Sequence, residues 1–361
     1  MASLISIRTR IHDNAKVTEL TTLGWDDAWT STFAPSRELG LVPGRVAIQH
    51  RGEYDVLTAE GEVRARITNR LRRGASPVDL PVVGDWVGLD SAGSIVEVVP
   101  RRTKLSRRAA HDEGSDDMRE QVIAANLDVV FIAASLGEEV DARLLERYVA
   151  LALESGAHPV ILLTKADLES DPEVVAAEVA GVGGEIPVHA VSVRSGLGLD
   201  SVRRHLAPSL TGALLGPSGV GKSTLVNGLV GQDDLLATGA VRADGQGRHT
   251  TTRRQLVIIP GGGLIVDNPG MREVHLWLAE DGLTEAFDDI AALAIECRFS
   301  DCGHETEPGC AVQAARADGR LQPERWQRYR ALQRELAELE ERLTRRERSR
   351  ARRRRPDAEA S

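Results

Sequence analysis

The stretch Gly216-Pro217-Ser218-Gly219-Val220-Gly221-Lys222-Ser223-Thr224 constrains the fold more than any other part of the chain. It follows an apolar tetrad, Gly212-Ala213-Leu214-Leu215, and opens a helical run, Thr224 to Leu229. That is the strand, loop and helix setting which the pattern G-x4-G-K-[S/T] requires. Its glycines let successive backbone N–H groups converge on phosphate oxygens, Lys222 brings a point charge to the β and γ oxygens, and Ser223 offers a hydroxyl to Mg2+. Two continuous apolar runs, Asp128 to Ala133 and Pro159 to Leu163, alternate with helical stretches at Arg143 to Ser155 and Pro172 to Val182. Such runs read as parallel strands covered on both faces, so this part of the chain is expected to be α/β.

Three further elements have the right chemistry to complete a guanine-nucleotide site. Asp267-Asn268-Pro269-Gly270 follows the apolar run Leu264-Ile265-Val266 and fits DxxG, in which the aspartate reaches Mg2+ through water and the glycine N–H faces the γ-phosphate. Thr164-Lys165-Ala166-Asp167 fits [NT]KxD: the Asp167 carboxylate accepts from guanine N1–H and the 2-amino group, and the Lys165 stem can lie over the base. The turn beginning at Ser192 and Val193 supplies backbone N–H groups to the same pocket. Between the phosphate loop and DxxG, the glycine-rich segment Gly239 to Arg254 suits a switch that binds Mg2+ through a threonine hydroxyl. We assign that role to Thr251, although the pattern itself does not separate it from Thr250 and Thr252. Met271 stands where a water-orienting glutamine is usual, and His249 is assigned to that task. The base-reading elements precede the phosphate loop, the reverse of the Ras-like order, so the domain is expected to be circularly permuted.

Composition narrows the setting. All three cysteines fall between Cys297 and Cys310, and Cys297-x4-Cys302-x-His304-x5-Cys310 is a Cys3His set suited to a closed structural Zn2+ site. No apolar run is long enough to cross a bilayer and the N-terminus lacks a signal-peptide pattern, so the chain reads as cytoplasmic and without a membrane partner; a monomer is expected. Net charge is −9, yet Arg342 to Arg355 holds nine arginines and one acid, leaving an acidic body with a basic tail. Five short alternating runs between Gly40 and Arg108, with Arg64, Arg66, Arg70, Arg72 and Arg73 on polar faces, suggest a small barrel of OB type. RNA binding and a purely structural barrel fit that pattern equally. The domains expected are an extension at 1–39, the OB-type barrel at 40–110, the permuted nucleotide domain at 111–276, a helical metal-binding domain at 277–341 and the tail at 342–361. Residues 1 to about 36, with Trp25, Trp29 and Phe33, are expected to gain order only by docking.

The permuted order, GPSGVGKST, the RHTTT stretch, DxPG and the Cys3His cluster together resemble the bacterial ribosome-small-subunit-dependent GTPase A family, RsgA or YjeQ. The resemblance extends from Gly40 to about Arg330 and implies an OB barrel, a permuted GTPase domain and a zinc domain. It also implies GTP hydrolysis in late maturation of the 30S subunit, contact with 16S rRNA, stimulation by the 30S particle, and a catalytic role for His249. Thr164 in place of asparagine and Asn268 in place of serine or threonine depart from the family pattern. A GTP-gated rRNA-binding scaffold with negligible turnover, and a P-loop ATPase or kinase, are the alternative readings.

Overall fold

The structure is a computed structural model that describes residues 19–108, 120–137, 140–183, 186–232, 254–267 and 280–354. After a 3-10 turn at Leu20–Leu23 come helix α1 (Asp27–Glu38), strands β1 (Val42–Gln49), β2 (Tyr54–Thr58) and β3 (Gly61–Ala65), helix α2 (Asn69–Gly74), β4 (Trp86–Leu89) and β5 (Ile95–Val98). Strands β6 (Lys104–Arg108) and β7 (Glu120–Ala125) pair with each other. Then follow β8 (Val129–Ser135), α3 (Ala142–Glu154), β9 (His158–Thr164), α4 (Pro172–Gly183), β10 (Val188–Val191), α5 (Leu199–His205), β11 (Thr211–Leu215), α6 (Lys222–Val230), β12 (Gln255–Ile258) and β13 (Leu264–Asp267). The last helices are α7 (Glu280–Ala286), α8 (Asp288–Ile295), α9 (Ala311–Ala317) and α10 (Pro323–Arg354). No helix among the described residues is long and apolar enough to cross a membrane.

The chain forms two compact units. The first, Met1–Arg107, Glu120–Val140 and Ser155–His275, carries the large sheet in the order β10-β9-β8-β11-β13-β12-β1-β2-β3. Strands β8, β9, β10, β11 and β13 are mutually parallel, and β12 returns antiparallel to β13. The apolar runs form strands buried along most of their length, and Phe131, Val160, Leu162, Leu214, Leu225 and Ile265 share one core. Strands β1 to β5 coincide with the five alternating runs of the sequence. Val46, Val56, Val87 and Ile95 fill their interior, and a parallel bridge from Ile67 to Ile95 brings the chain after β3 to β5. Strand β1 serves two neighbours: Val42 to Arg45 pair with β4, a bulge falls between Val46 and Ile48, and Ile48 pairs with Gln255 of β12. Barrel and nucleotide sheet are therefore one hydrogen-bonded surface.

Residues 20–38 are docked rather than loose. Trp25, Trp29 and Phe33 are buried beside Trp86, with the Trp25 and Trp86 rings edge-on at 4.7 Å between centroids. Asp26 caps α1 by accepting from the Trp29 N–H at 2.8 Å, and its carboxylate pairs with Arg102, whose guanidinium lies 4.1 Å over the Trp29 ring. Beneath this cluster the Arg45 guanidinium is 2% exposed. It donates to the carbonyls of Leu23, Gly84 (3.2 Å) and Asn126 (3.1 Å), and burial pulls its pKa down to about 10.

The second unit, Arg108–Arg119, Asp141–Glu154 and Leu276–Ser361, contains helices α3 and α7 to α10, with a non-helical stretch at 297–310 between α8 and α9. Glu146 of α3, 4% exposed, accepts from Arg325 (2.8 Å) and Arg328 (2.6 Å) of α10, and Arg325 also reaches Asp289. Leu332 and Leu336 of α10, one turn apart, are buried. The helix continues through the arginine-rich run to Arg354.

Replacing Arg45 by methionine strips three buried carbonyls of their donor while keeping most of the volume. Because an unsatisfied buried group costs about 1–3 kcal/mol, the first unit should lose roughly 3 kcal/mol or more of unfolding free energy in urea, followed by tryptophan fluorescence. A loss below about 1 kcal/mol would show that water replaces the guanidinium.

Candidate nucleotide and metal sites

Parallel β8, β9, β10, β11 and β13 bring their carboxyl ends to one edge of the sheet, which is where ligands bind in open α/β folds. The register aligns Thr164 with both Ser135 and Val191, and β11 delivers Gly216 between β8 and β13. Segments distant in sequence, 164–167, 192–193, 216–224 and Asp267, therefore lie at the ends of neighbouring strands. His249, Thr250, Thr251, Thr252 and Gly270 lie outside the described residues.

In the phosphate loop Gly216, Gly219 and Gly221 have φ of +142°, +79° and +103°, and a Cβ at Gly216 would stand 2.5 Å from the Ala133 carbonyl oxygen. The Lys222 ammonium donates to the carbonyls of Gly216 (2.7 Å) and Pro217 (2.6 Å), so its charge is held over the loop. Ser223 is partly exposed and Thr224 exposed at the start of α6, and Val220 is buried. Oxygen ligands for Mg2+ and a cradle for phosphate are thus supplied by this chain's own groups, which fits the ligand that the motif implies.

The loop at 164–167, the candidate base reader, is tied to the phosphate loop by Thr164. Its hydroxyl lies 2.5 Å from the Val220 carbonyl oxygen and 3.0 Å from that of Ala134, one proton shared between two acceptors. Lys165 then takes a left-handed φ of +57°, Ala166 is buried, and Asp167 emerges on a 3-10 turn. The Ser192 hydroxyl, on a residue 2% exposed, donates to Asp167 at 2.6 Å. That hydrogen bond holds the Asp167 carboxyl below the usual carboxylate range, so it remains an acceptor at neutral pH. Val193 is partly buried, and the Ser195 N–H donates to the Ser192 hydroxyl at 3.3 Å. The Thr164 tie was not legible in the sequence, where the position stood out only as a departure from asparagine.

In the second unit, the donor atoms of Cys297, Cys302, His304 and Cys310 lie within 4.8 Å of one another. Cys297 and Cys310 sulfurs are 3.9 Å apart, and each is 3.5 Å from His304 Nδ1. Tetrahedral coordination with Zn–S of about 2.3 Å sets sulfur pairs about 3.8 Å apart, so the spacing matches a four-coordinate ion. His304 holds φ at +59°, and its ring stands edge-on to Trp326. Glu307 accepts from the N–H groups of Gly303, Glu305 and Thr306, which pins the intervening loop and pulls its pKa to about 2.

Replacing Thr164 by valine keeps the shape but leaves the Val220 carbonyl without its donor. Release of a fluorescent GDP should speed up about tenfold, and the stranded carbonyl should lower the unfolding free energy by about 1–3 kcal/mol. Release within twofold of wild type would show that the tie is dispensable.

Comparison with known proteins agrees with this geometry. The family model described as RsgA GTPase matches residues 98–277. The chain is 43% identical over 333 residues to the small ribosomal subunit biogenesis GTPase RsgA of Opitutus terrae, covering 88% of this chain and 90% of that one. It is 44% identical over 336 residues to the protein of the same name from Streptomyces coelicolor, covering 91% and 88%. The fold is similar to that in the crystal structure of YjeQ from Thermotoga maritima, with TM-score 0.62, 24% identity and coverage of 82% of this chain and 99% of that one. It is also similar to YloQ, described as a circularly permuted GTPase, with TM-score 0.59, 23% identity and coverage of 82% and 96%. With identities of this size to full-length relatives, and with the strand order on which a permuted nucleotide site depends, the chain belongs to the RsgA GTPase family.

Proposed function

We propose that this GTP hydrolase acts in late maturation of the 30S ribosomal subunit, and that docking on the particle and its 16S rRNA stimulates hydrolysis of GTP to GDP and phosphate. The observation that carries the GTPase reading is the Ser192–Asp167 pair, held beside the phosphate loop by Thr164. The printed names of the relatives carry the ribosomal part. In this reading Asp167 selects guanine, the loop from Gly216 to Thr224 binds the phosphates, and Ser223, Thr251 and Asp267 hold Mg2+. The ion, when bound, neutralises charge that develops on the transferred phosphoryl group. His249 orients the attacking water. The barrel at 40–110, which precedes the permuted domain at 111–276 in sequence, and the helical domain at 277–341, which follows it, engage the particle, and the protein works as a cytoplasmic monomer.

The Cys3His cluster is read as a structural Zn2+ site that orders the segment between α8 and α9 of the helical unit. Metal analysis of protein purified without added zinc should find one Zn2+ per chain. A Cys302→Ser/Cys310→Ser variant should lose the metal together with the far-ultraviolet signal of the second unit. Full helicity in a metal-free variant would show that the cluster is not structural.

The function is tested by GTPase rates with and without purified 30S particles. Wild type should turn over slowly alone and faster with particles, and ATP should not compete. His249→Ala should keep GTP and particle binding within about threefold yet lose about 100-fold or more of the stimulated kcat, the range expected when a group that positions or deprotonates water is removed. Particle binding without stimulation would favour the scaffold reading, and ATP hydrolysis at equal efficiency would favour an ATPase.

A further inference from the structure

Strands β12 and β13 form a hairpin whose two ends are held very differently. At the closed end, Ile259 donates to Gly263 at 2.9 Å, and Gly263 and Leu264 donate to the carbonyls of Leu206 and Leu210 at 2.8 Å. A Cβ on Gly263 would stand 2.1 Å from the Leu210 carbonyl oxygen, so there is no room for the turn to shift toward that loop. The open end contains Gln255 and Asp267, paired directly opposite each other. In sequence, the stretch 233–253 with His249 leads into this end, and the stretch 268–279 with Gly270 leaves from it. One side of β12 is a ladder of four register pairs to β13. On the other side is the barrel, through a single register pair, Ile48 with Gln255, and two long hydrogen bonds. The Gln49 N–H donates to the Arg254 carbonyl and the Arg254 guanidinium to Gln49 Oε1, each at 3.4 Å.

Directly opposed residues in an antiparallel ladder point to the same face, so Ile48, Gln255 and Asp267 stand side by side across three strands. Ile48 and Gln255 are buried, 8% and 7% exposed, and a displacement of β1 cannot be absorbed by their moving into solvent. The barrel side of this row leads straight to a charged surface. His50 follows Gln49, closes the β1–β2 turn by donating to the Glu53 carbonyl at 2.8 Å, and pairs with Asp55, which also binds Arg64 at 3.0 Å. Arg51 and Arg66 are exposed on the same hairpin region. Arg66 is paired with Glu53 and Arg64 with Asp55, so an anionic partner that engages the exposed Arg51, or displaces Glu53 from Arg66, loads β1 within two residues of Gln49. The bulge between Val46 and Ile48 separates that end of β1, which pairs with β2 at Ile48 and Gln49, from the part fixed to β4.

We propose that Gln49 and Arg254 are positioning residues that make the barrel–hairpin junction the input of the GTPase centre. The junction is the weakly bonded side of β12 and has two states, made and loosened. A partner that favours the made state fixes Gln255 and, through it, the Asp267 carboxylate that serves Mg2+. The inference rests on the reading that the ribosomal particle docks through the barrel, and it names how docking reaches the site. The coupling is reciprocal, so bound GTP and Mg2+ tighten the same junction.

The test uses full-length protein and two variants, Gln49→Pro, which deletes the N–H donor to Arg254, and Arg254→Met, which deletes the guanidinium but keeps the bulk. Both should retain the wild-type melting temperature, basal kcat and KM for GTP within twofold, and particle binding within threefold. Stimulation by 30S particles should fall at least tenfold. Two measurements without the particle read the junction itself. Amide exchange in β12 should quicken at least tenfold, and the Mg2+ concentration that half-maximally slows GDP release should rise at least threefold. Should Gln49→Pro fail to fold, Arg254→Met decides. Wild-type stimulation together with unchanged exchange and Mg2+ dependence overturns the proposal while leaving the function intact. If wild type is not stimulated at all, the ribosomal reading fails, and the exchange and Mg2+ measurements alone decide the junction.

Discussion

A single buried guanidinium organises the first unit. Among the described residues Arg45 has no carboxylate within hydrogen-bonding distance; it is held by carbonyls from the Leu20–Leu23 turn, from Gly84 before β4 and from Asn126 before β8. Three chain segments more than twenty residues apart end at one side chain, and none can retreat without stranding a buried charge. Gly84 shows how closely the arrangement is specified. Its φ is +92°, and a Cβ there would stand 2.1 Å from the Ala125 carbonyl oxygen, so only glycine lets the β3–β4 connection approach the strand that leads into the nucleotide sheet. Because Arg45 lies on β1, its anchorage also fixes the strand on which barrel and nucleotide sheet join.

Much of the candidate site stood out in the sequence because each motif carries a local chemical demand, although His249, Thr251 and Gly270 lie outside the described residues. A phosphate loop needs glycines and one lysine in fixed order, a guanine reader needs an aspartate after a strand, and a tetrahedral metal site needs four soft or borderline donors close in sequence. The strand runs at 128–133 and 159–163 and the five barrel strands were legible for a related reason, since burial on one or both faces writes itself into the hydrophobic pattern. The arginine-rich stretch read as a tail because charge alone does not announce a helix, whereas Glu341 and Arg345, one turn apart and paired, support helix within it.

What stayed hidden depends on partners remote in sequence. Trp25, Trp29 and Phe33 have no meaning as a pattern until Trp86 supplies the fourth ring and Arg102 the cation. The fusion of barrel and nucleotide sheet leaves no trace either, because backbone pairing between β1 and β12 makes no demand on residue type. Likewise the Thr164 hydroxyl works through a carbonyl of Val220, and a backbone acceptor is present at every position. Sequence reading finds side chains that must be what they are; it does not find where the main chain will meet itself.

Strand order has a consequence for the growing chain. Strands β8, β9 and β10 are neighbours in space and consecutive in sequence, so that half-sheet can assemble as soon as it is made, but the inner edge of β8 waits for β11. At synthesis rates of about 5–20 residues per second, the stretch from Ser135 to Leu215 takes roughly 4–16 s. Throughout that interval Val129-Val130-Phe131-Ile132-Ala133-Ala134 presents an unpaired apolar edge, the kind of surface on which nascent chains aggregate. In the reverse, Ras-like order the phosphate-loop strand is made first and later strands add to it. Here it is the bolt that closes the sheet, and a chain stopped short of residue 211 carries the 164–167 and 192–193 segments yet has neither the 216–224 loop nor a covered β8 edge.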